Sequence, residues 1–78
     1  MPLSALKPGE SAIIESLEGP PDVMLHLLEL GLAPGERITL MCAAPLGDPV
    51  EIELMNYRLA IRLSEAQKIV VRQEGSER

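Results

Sequence analysis

The fold is decided around residues 27–36, which read Leu27-Leu28-Glu29-Leu30-Gly31-Leu32-Ala33-Pro34-Gly35-Glu36. Gly31 stands where the end of a helix favours a left-handed residue, and Leu32 is placed to pack back on Leu27 in a Schellman ending. Pro34 and Gly35 suit the two central positions of a type II turn, because proline presets φ at about −65° and glycine accepts positive φ. This stretch therefore predicts a helix that ends sharply and a tight turn directly after it.

The same turn occurs a second time, earlier in the chain. Residues 6–10 read Leu6-Lys7-Pro8-Gly9-Glu10 and repeat the pattern of residues 32–36. A strand-like run follows each copy, over residues 11–16 and 37–44. Two copies of five residues are too short for a solenoid repeat, so we interpret them as one entry turn used twice.

A single convincing helix lies between the two turns, and we predict it from about Asp22 to Leu30. Asp22 is available as a cap or as a first-turn acid that favours the positive end of the helix dipole. The helix has more apolar positions than one buried face needs, and an exposed apolar patch often marks an interface. We therefore predict partner binding at Met24, Leu25 and Leu28; the alternative is a helix lying deep in the groove of a curved sheet.

The rest of the chain alternates apolar and polar residues with a period of two. Residues 37–42, 50–54 and 57–63 follow this pattern, which is typical of half-buried antiparallel strands. Ser64 and Gln67 form a predicted capping box around one helical turn. A last strand is predicted over residues 68–72.

Five short strands with one helix inserted after the first predict a mostly β fold, a small SH3-like barrel. Closure of the barrel removes the edges that an open sheet would expose. A small open sheet with a packed helix is the alternative. We expect one domain over residues 1–73 and a flexible C-terminal tail over residues 74–78.

The composition excludes several classes of function. The formal net charge of −5 argues against nucleic acid and anionic lipid as direct partners, since both attract basic proteins. The chain has no Trp, no Phe and a single Tyr, Tyr57, so the aromatic groove that binds proline-rich peptides is missing. One cysteine, no membrane-spanning run and no signal-peptide core predict a cytoplasmic protein.

The residues that carry reactive chemistry are few. His26 and Glu29 have the i, i+3 spacing of a partial metal site, but two ligands do not make a selective one, and a solvated polar stripe is the favoured interpretation. Cys42 is predicted to face inward as a small hydrophobic residue. No nucleophile–base pair and no phosphate-binding loop are present, so we expect no enzyme.

The loop over residues 44–49 joins two predicted strands and reads Ala44-Pro45-Leu46-Gly47-Asp48-Pro49. Turn chemistry alone explains these residue types, and Asp48 is expected to accept hydrogen bonds from backbone amides. A rigid loop with Leu46 at its tip also suits partner contact, because a preorganised loop loses little entropy on binding. The candidate partner-binding residues in this loop are Pro45, Leu46, Gly47, Asp48 and Pro49.

Several segments together resemble the FeoA family of ferrous iron transport accessory proteins. These are residues 27–35, the 44–49 loop, the stretch Tyr57-Arg58-Leu59-Ala60-Ile61-Arg62, and then Glu65-Ala66 and Ile69-Val70-Val71. The resemblance covers roughly residues 3–71. Two departures stand out: the first half of the helix lacks the family's basic residues, and Met55-Asn56 replaces a hairpin that often contains Gly. We expect Asn56 to take any positive φ there, since Asn tolerates it.

The resemblance implies a cytosolic SH3-like barrel that binds the FeoB transporter, a membrane permease with a G-protein domain, and modulates ferrous iron uptake. The alternative is a stand-alone metal-responsive dimerisation module, related to the C-terminal domain of metal-dependent repressors. No cofactor is expected beyond weak Fe²⁺ or Zn²⁺ binding at His26 and Glu29. A homo-oligomer remains open, as does the docking face on the transporter.

Overall fold

A computed structural model describes residues 1–43 and 45–74, without the side chain of residue 43. Its elements follow a short 3₁₀ turn at Leu3–Ala5 and are, in chain order, β1 (Ser11–Leu17), α1 (Pro21–Glu29), β2 (Arg37–Ala43), β3 (Val50–Leu54), β4 (Tyr57–Ile61), α2 (Leu63–Ala66) and β5 (Ile69–Gln73). The strands form one antiparallel sheet in the order β4-β3-β2-β1-β5. The predicted mostly β fold, with five strands and a helix after the first, is confirmed.

Both Pro-Gly segments form the predicted turns. The Glu10 N–H donates to the Lys7 carbonyl at 3.0 Å, and the Glu36 N–H donates to the Ala33 carbonyl at 3.1 Å. Gly9 and Gly35 take positive φ values of 91° and 95°. A proline followed by a positive-φ glycine within such a hydrogen bond defines a type II turn.

Each turn is held by the strand that follows the other turn. Gly9 N–H donates to the Leu40 carbonyl at 2.7 Å, and Leu40 N–H donates to the Glu10 carbonyl at 3.0 Å. The same two bonds recur between the second turn and Ile14, at 2.8 and 2.9 Å. The short sequence repeat thus marks an approximate two-fold relation between the entries to β1 and β2.

The relation extends to a bulge in each strand. The register shifts between Ile14 and Ser16 in β1, and between Leu40 and Cys42 in β2. One extra residue in a strand bends it and increases its twist. The two bulges lie at corresponding positions, six residues after Gly9 and Gly35, and curve the sheet toward a barrel.

The bulge in β2 makes the inward prediction for Cys42 wrong. Ile38 and Leu40 are buried, as the alternation predicts, but Cys42 is exposed and lies opposite Glu51. The extra residue at position 41 reverses the side on which later side chains lie. Alternation in the sequence carries no sign of such an insertion.

Helix α1 lies one residue earlier than predicted at both ends, and it closes with the predicted Schellman motif. Pro20 occupies the N-cap position, so Asp22 is a first-turn acid and not a cap. At the other end, Gly31 has φ 95°, its N–H donates to the Leu28 carbonyl at 2.9 Å, and Leu32 N–H donates to the Leu27 carbonyl at 3.0 Å. These are the two hydrogen bonds of a Schellman motif, and both Leu27 and Leu32 are fully buried.

Two local predictions in the second half of the chain are wrong. The short helix α2 begins at Leu63, and Glu65 accepts the Arg62 N–H at 2.8 Å, so Ser64 and Gln67 do not form the cap. In the β3–β4 turn the positive φ, 45°, belongs to Met55 and not to Asn56. In both places a neighbouring residue takes the role that residue preferences assign to Ser64 or to Asn56.

The core consists of aliphatic side chains from the sheet, both helices and the N-terminal segment, with no buried polar residue in the part of the chain described. Val71 N–H donates to the Met1 carbonyl at 2.7 Å, so the N-terminus covers part of the outer edge of β5. The predicted tail falls, apart from Glu74, outside the described residues. Glu74 itself pairs with Arg37, and the flexible tail stays a prediction.

Candidate partner-binding site

The outer face of α1 carries the apolar residues that the sequence singled out. Leu25 is 56% exposed and Leu28 44% exposed, and Met24 is half-buried. The inward face of the helix is formed by Val23, Leu27 and Leu30. One face therefore suffices to anchor the helix, and the surplus leucines lie in solvent. Their role in binding a partner stays a prediction.

The loop over residues 45–49 presents a second apolar feature. Leu46 is 94% exposed, and Pro45, Asp48 and Pro49 are also exposed. Gly47 has φ 85°, and the Asp48–Pro49 peptide bond is cis. The Asp48 carboxylate accepts a hydrogen bond from the Leu63 N–H at 2.8 Å. The predicted amide contact of Asp48 is confirmed, and it ties the loop to the start of α2.

Helix α2 connects the loop to α1. Glu65 accepts the Arg62 N–H through Oε1, and its Oε2 lies 3.4 Å from His26 Nε2. His26 thus has an acidic neighbour on another helix instead of its predicted neighbour Glu29. Within residues 1–43 and 45–74, no group of three His, Cys, Asp or Glu side chains is arranged to hold a metal ion.

Two open cavities flank α2 and share two residues, Arg62 and Glu65. The first, about 440 Å³, is lined by Asp48, Pro49, Ala60, Ile61, Arg62 and Glu65. The second, about 290 Å³, is lined by Asp22, Val23, His26, Arg62, Ser64, Glu65 and Lys68. We call these two cavities together the α2 groove, which runs from the 45–49 loop to α1.

Sequence reasoning missed this groove. It found the loop and α1 from their turn chemistry and surplus apolar residues, but assigned no role to Arg62, Glu65 or Lys68. The signal for α2 was the three-residue spacing of Arg62 and Glu65, since a glutamate at the third helical position often accepts the N–H of the N-cap residue. Ser64 and Gln67 match the usual capping box, which begins with Ser or Thr, and therefore predicted the cap two residues further along the chain.

The one aromatic residue of the chain fixes the end of α1. The Tyr57 hydroxyl donates to the Leu30 carbonyl at 2.8 Å. A Cβ on Gly31 would lie 2.5 Å from the same hydroxyl. Tyr57 therefore joins the start of β4 to the end of the helix, and only glycine at position 31 leaves room for it.

Cys42 is exposed but is not activated. Its Sγ lies 3.4 Å from Glu51 Oε1. The hydrogen bond to this carboxylate raises the pKa of the Cys42 thiol, and desolvation and the negative charge of Glu51 act in the same direction. A reactive thiol needs a lowered pKa. The described residues thus supply no nucleophile of that kind.

Taken together, these features define a small SH3-like barrel with exposed apolar surfaces and no catalytic constellation among its described residues. A family model described as the FeoA domain matches residues 1–73. The chain belongs to the FeoA family, whose members take part in ferrous iron transport as accessory SH3-like domains and not as enzymes of a known class.

One relative in sequence and one in structure agree with this family assignment. A fusion of Fe(2+) transport protein A and Fe(2+) transporter FeoB, from Porphyromonas gingivalis strain ATCC BAA-308 / W83, is 39% identical over 71 residues. The match covers 91% of this chain and 8% of the fusion protein. The crystal structure of Stenotrophomonas maltophilia FeoA complexed with zinc, described as a prokaryotic SH3 domain protein, has a TM-score of 0.80 at 33% identity and covers 95% of both chains.

A more distant likeness concerns the fold alone. A manganese-dependent transcriptional repressor in complex with manganese aligns with a TM-score of 0.88 at 13% identity, over 95% of this chain and 36% of the repressor. The barrel is therefore shared with part of a larger metal-dependent regulator. In the part of this chain that the structure describes, no helix is long and apolar enough to span a bilayer.

Proposed function

We propose that this chain is an accessory protein of ferrous iron uptake that binds a FeoB-type transporter and modulates its activity. The observation that carries the proposal is the fusion of a similar domain to FeoB in one polypeptide. Fusion raises the effective concentration of two modules that act together. The contact between two such modules is made through the surface of each.

The surfaces that support the proposal are the outer face of α1 and the 45–49 loop. Leu25, Leu28 and Leu46 are large apolar side chains that remain exposed beside a complete core. Burial of exposed apolar side chains by a partner stabilises the complex, by about 25 cal/mol per Å² of apolar surface removed from water. They bring no stability to the isolated domain, which favours a role in binding.

Titration calorimetry with the cytosolic domains of the cognate transporter tests this function, with and without GTP and Fe²⁺. We expect saturable binding that weakens at least tenfold in the triple variant Leu25→Ser, Leu28→Ser, Leu46→Ser, since three exposed anchors are lost. Met55→Ser is the control, because Met55 is 82% exposed but lies outside both surfaces. Absence of binding under every nucleotide and metal condition would contradict the proposal.

A second candidate function is metal-responsive dimerisation, favoured by the contact between His26 and Glu65. Two protein ligands from different helices bind a divalent ion weakly, and a second copy of the chain can supply further ligands. Anaerobic titration with Fe²⁺ or Zn²⁺, followed by sedimentation, tests it. We expect His26→Ala to abolish any metal-dependent dimer while Glu29→Ala leaves it intact; unchanged dimerisation in His26→Ala would remove this candidate.

A further inference from the structure

Arg62 occupies the junction of the two cavities of the α2 groove and is exposed there. No ion pair or side-chain hydrogen bond holds its guanidinium within residues 1–43 and 45–74. The other described arginines each lie beside a glutamate: Arg37 with Glu74, Arg58 with Glu51 at 4.0 Å, and Arg72 with Glu15 at 3.9 Å. In a chain with a net charge of −5, an arginine without an acidic partner is the exception.

Two of the three carboxylates that line the groove are already engaged. Asp48 accepts the Leu63 N–H, and Glu65 accepts the Arg62 N–H and lies beside His26. The guanidinium of Arg62, by contrast, offers several donors in a planar fork that matches a carboxylate. The groove therefore lacks an acceptor at Arg62. Its lining holds more carboxylates than cations, so it suits a single acidic side chain better than an acidic run.

The groove also borders the free edge of the sheet. Strand β4 is the end strand, and Ala60 lines the first cavity and is exposed. Leu54 and Tyr57 close a two-residue hairpin, so they form a hydrogen-bonded pair, and such pairs alternate along the ladder. The Ala60 N–H and carbonyl therefore face away from β3. They are placed to pair with the backbone of an added strand.

We infer that the α2 groove binds an extended segment of a partner protein that carries one acidic side chain among uncharged residues. The acidic side chain pairs with Arg62, and the segment's backbone pairs with the edge of β4 at Ala60. Insofar as the partner is the cytosolic part of a FeoB-type transporter, the inference rests on the proposed function. It assigns the docking contact to the groove, whereas the apolar surfaces on either side add area without selecting a charge.

Blocked seven-residue peptides of serine, threonine and valine with a central glutamate, glutamine or lysine test the groove. Binding is followed through the amide resonances of residues 60–68 in the full chain. We expect the glutamate peptide to bind roughly fivefold more tightly than the glutamine peptide, the upper range for one exposed ion pair. The lysine peptide should bind no better than the glutamine one. In Arg62→Gln the preference for glutamate should disappear, and in Lys7→Gln, which removes a cation that lies away from the groove, it should persist.

Equal affinities for the glutamate and glutamine peptides, a preference that survives in Arg62→Gln, or no response at residues 60–68 would overturn the inference. The same variants are then titrated with the cytosolic domains of the transporter. Binding that is as tight in Arg62→Gln as in Lys7→Gln contradicts the groove but leaves the proposed function standing. Peptide binding without transporter binding contradicts the proposed function and leaves the groove standing.

Discussion

Gly31 is constrained in two independent ways at the end of α1. Its φ of 95° is one that residues with a Cβ rarely adopt, and a Cβ there would lie 2.5 Å from the Tyr57 hydroxyl. Gly35 has the same φ but no atom within 4 Å of its Cβ position. Alanine substitutions at the two glycines can therefore be compared to distinguish the cost of backbone strain from the cost of steric contact.

Gly31→Ala should destabilise the protein more than Gly35→Ala. The left-handed conformation costs an alanine about 1–2 kcal/mol at either site, and at position 31 we expect about 1 kcal/mol more, because the Tyr57 hydrogen bond to Leu30 is displaced. Chemical denaturation measures both free energies of unfolding. In a Tyr57→Phe background the two substitutions should cost the same; equal costs in the wild-type background would show that the contact is unimportant.

Cys42 shows how one inserted residue changes the chemistry of its neighbour. The β2 bulge brings the thiol to the surface beside Glu51, which raises the pKa of Cys42. A raised pKa means less thiolate at a given pH, and the thiolate is the reactive form. Exposure alone would suggest a reactive residue, but the neighbouring carboxylate opposes that.

Alkylation of Cys42 by iodoacetamide should be slow near neutral pH and become faster as the pH rises. Glu51→Gln removes the negative charge, so we expect the rate profile to move to lower pH. Glu53→Gln is the control on the same strand, since Glu53 pairs with Thr39 in the sheet and not with Cys42. A profile that is identical in all three proteins would contradict the assigned role of Glu51.

At the scale of elements, α2 is short but determines how the two predicted surfaces are related. It contacts the 45–49 loop through Asp48 and Leu63, and α1 through Glu65 and His26. These contacts join segments that lie far apart in the sequence. The loop and α1 therefore flank one groove and do not act as two separate patches.

At the scale of the whole molecule, the sequence predicted the architecture better than the site. Strong local signals defined the turns, the end of α1 and the alternating strands. The α2 groove was not predictable in this way, because the contacts of Asp48 with Leu63 and of His26 with Glu65 depend on the tertiary fold. The bulge at position 41 was not predictable for a similar reason, since it is defined only by the pairing of β2 with β3.

The crossed attachment of the two Pro-Gly turns has a consequence for folding. Each turn completes its hydrogen bonds only on the strand that belongs to the other half, at Leu40 or at Ile14. Neither half can therefore reach its native geometry before the other, and partial unfolding of one removes the support of its counterpart. We expect β1 and β2 to form and melt as one cooperative unit, although α1 and the second Pro-Gly turn separate them along the chain.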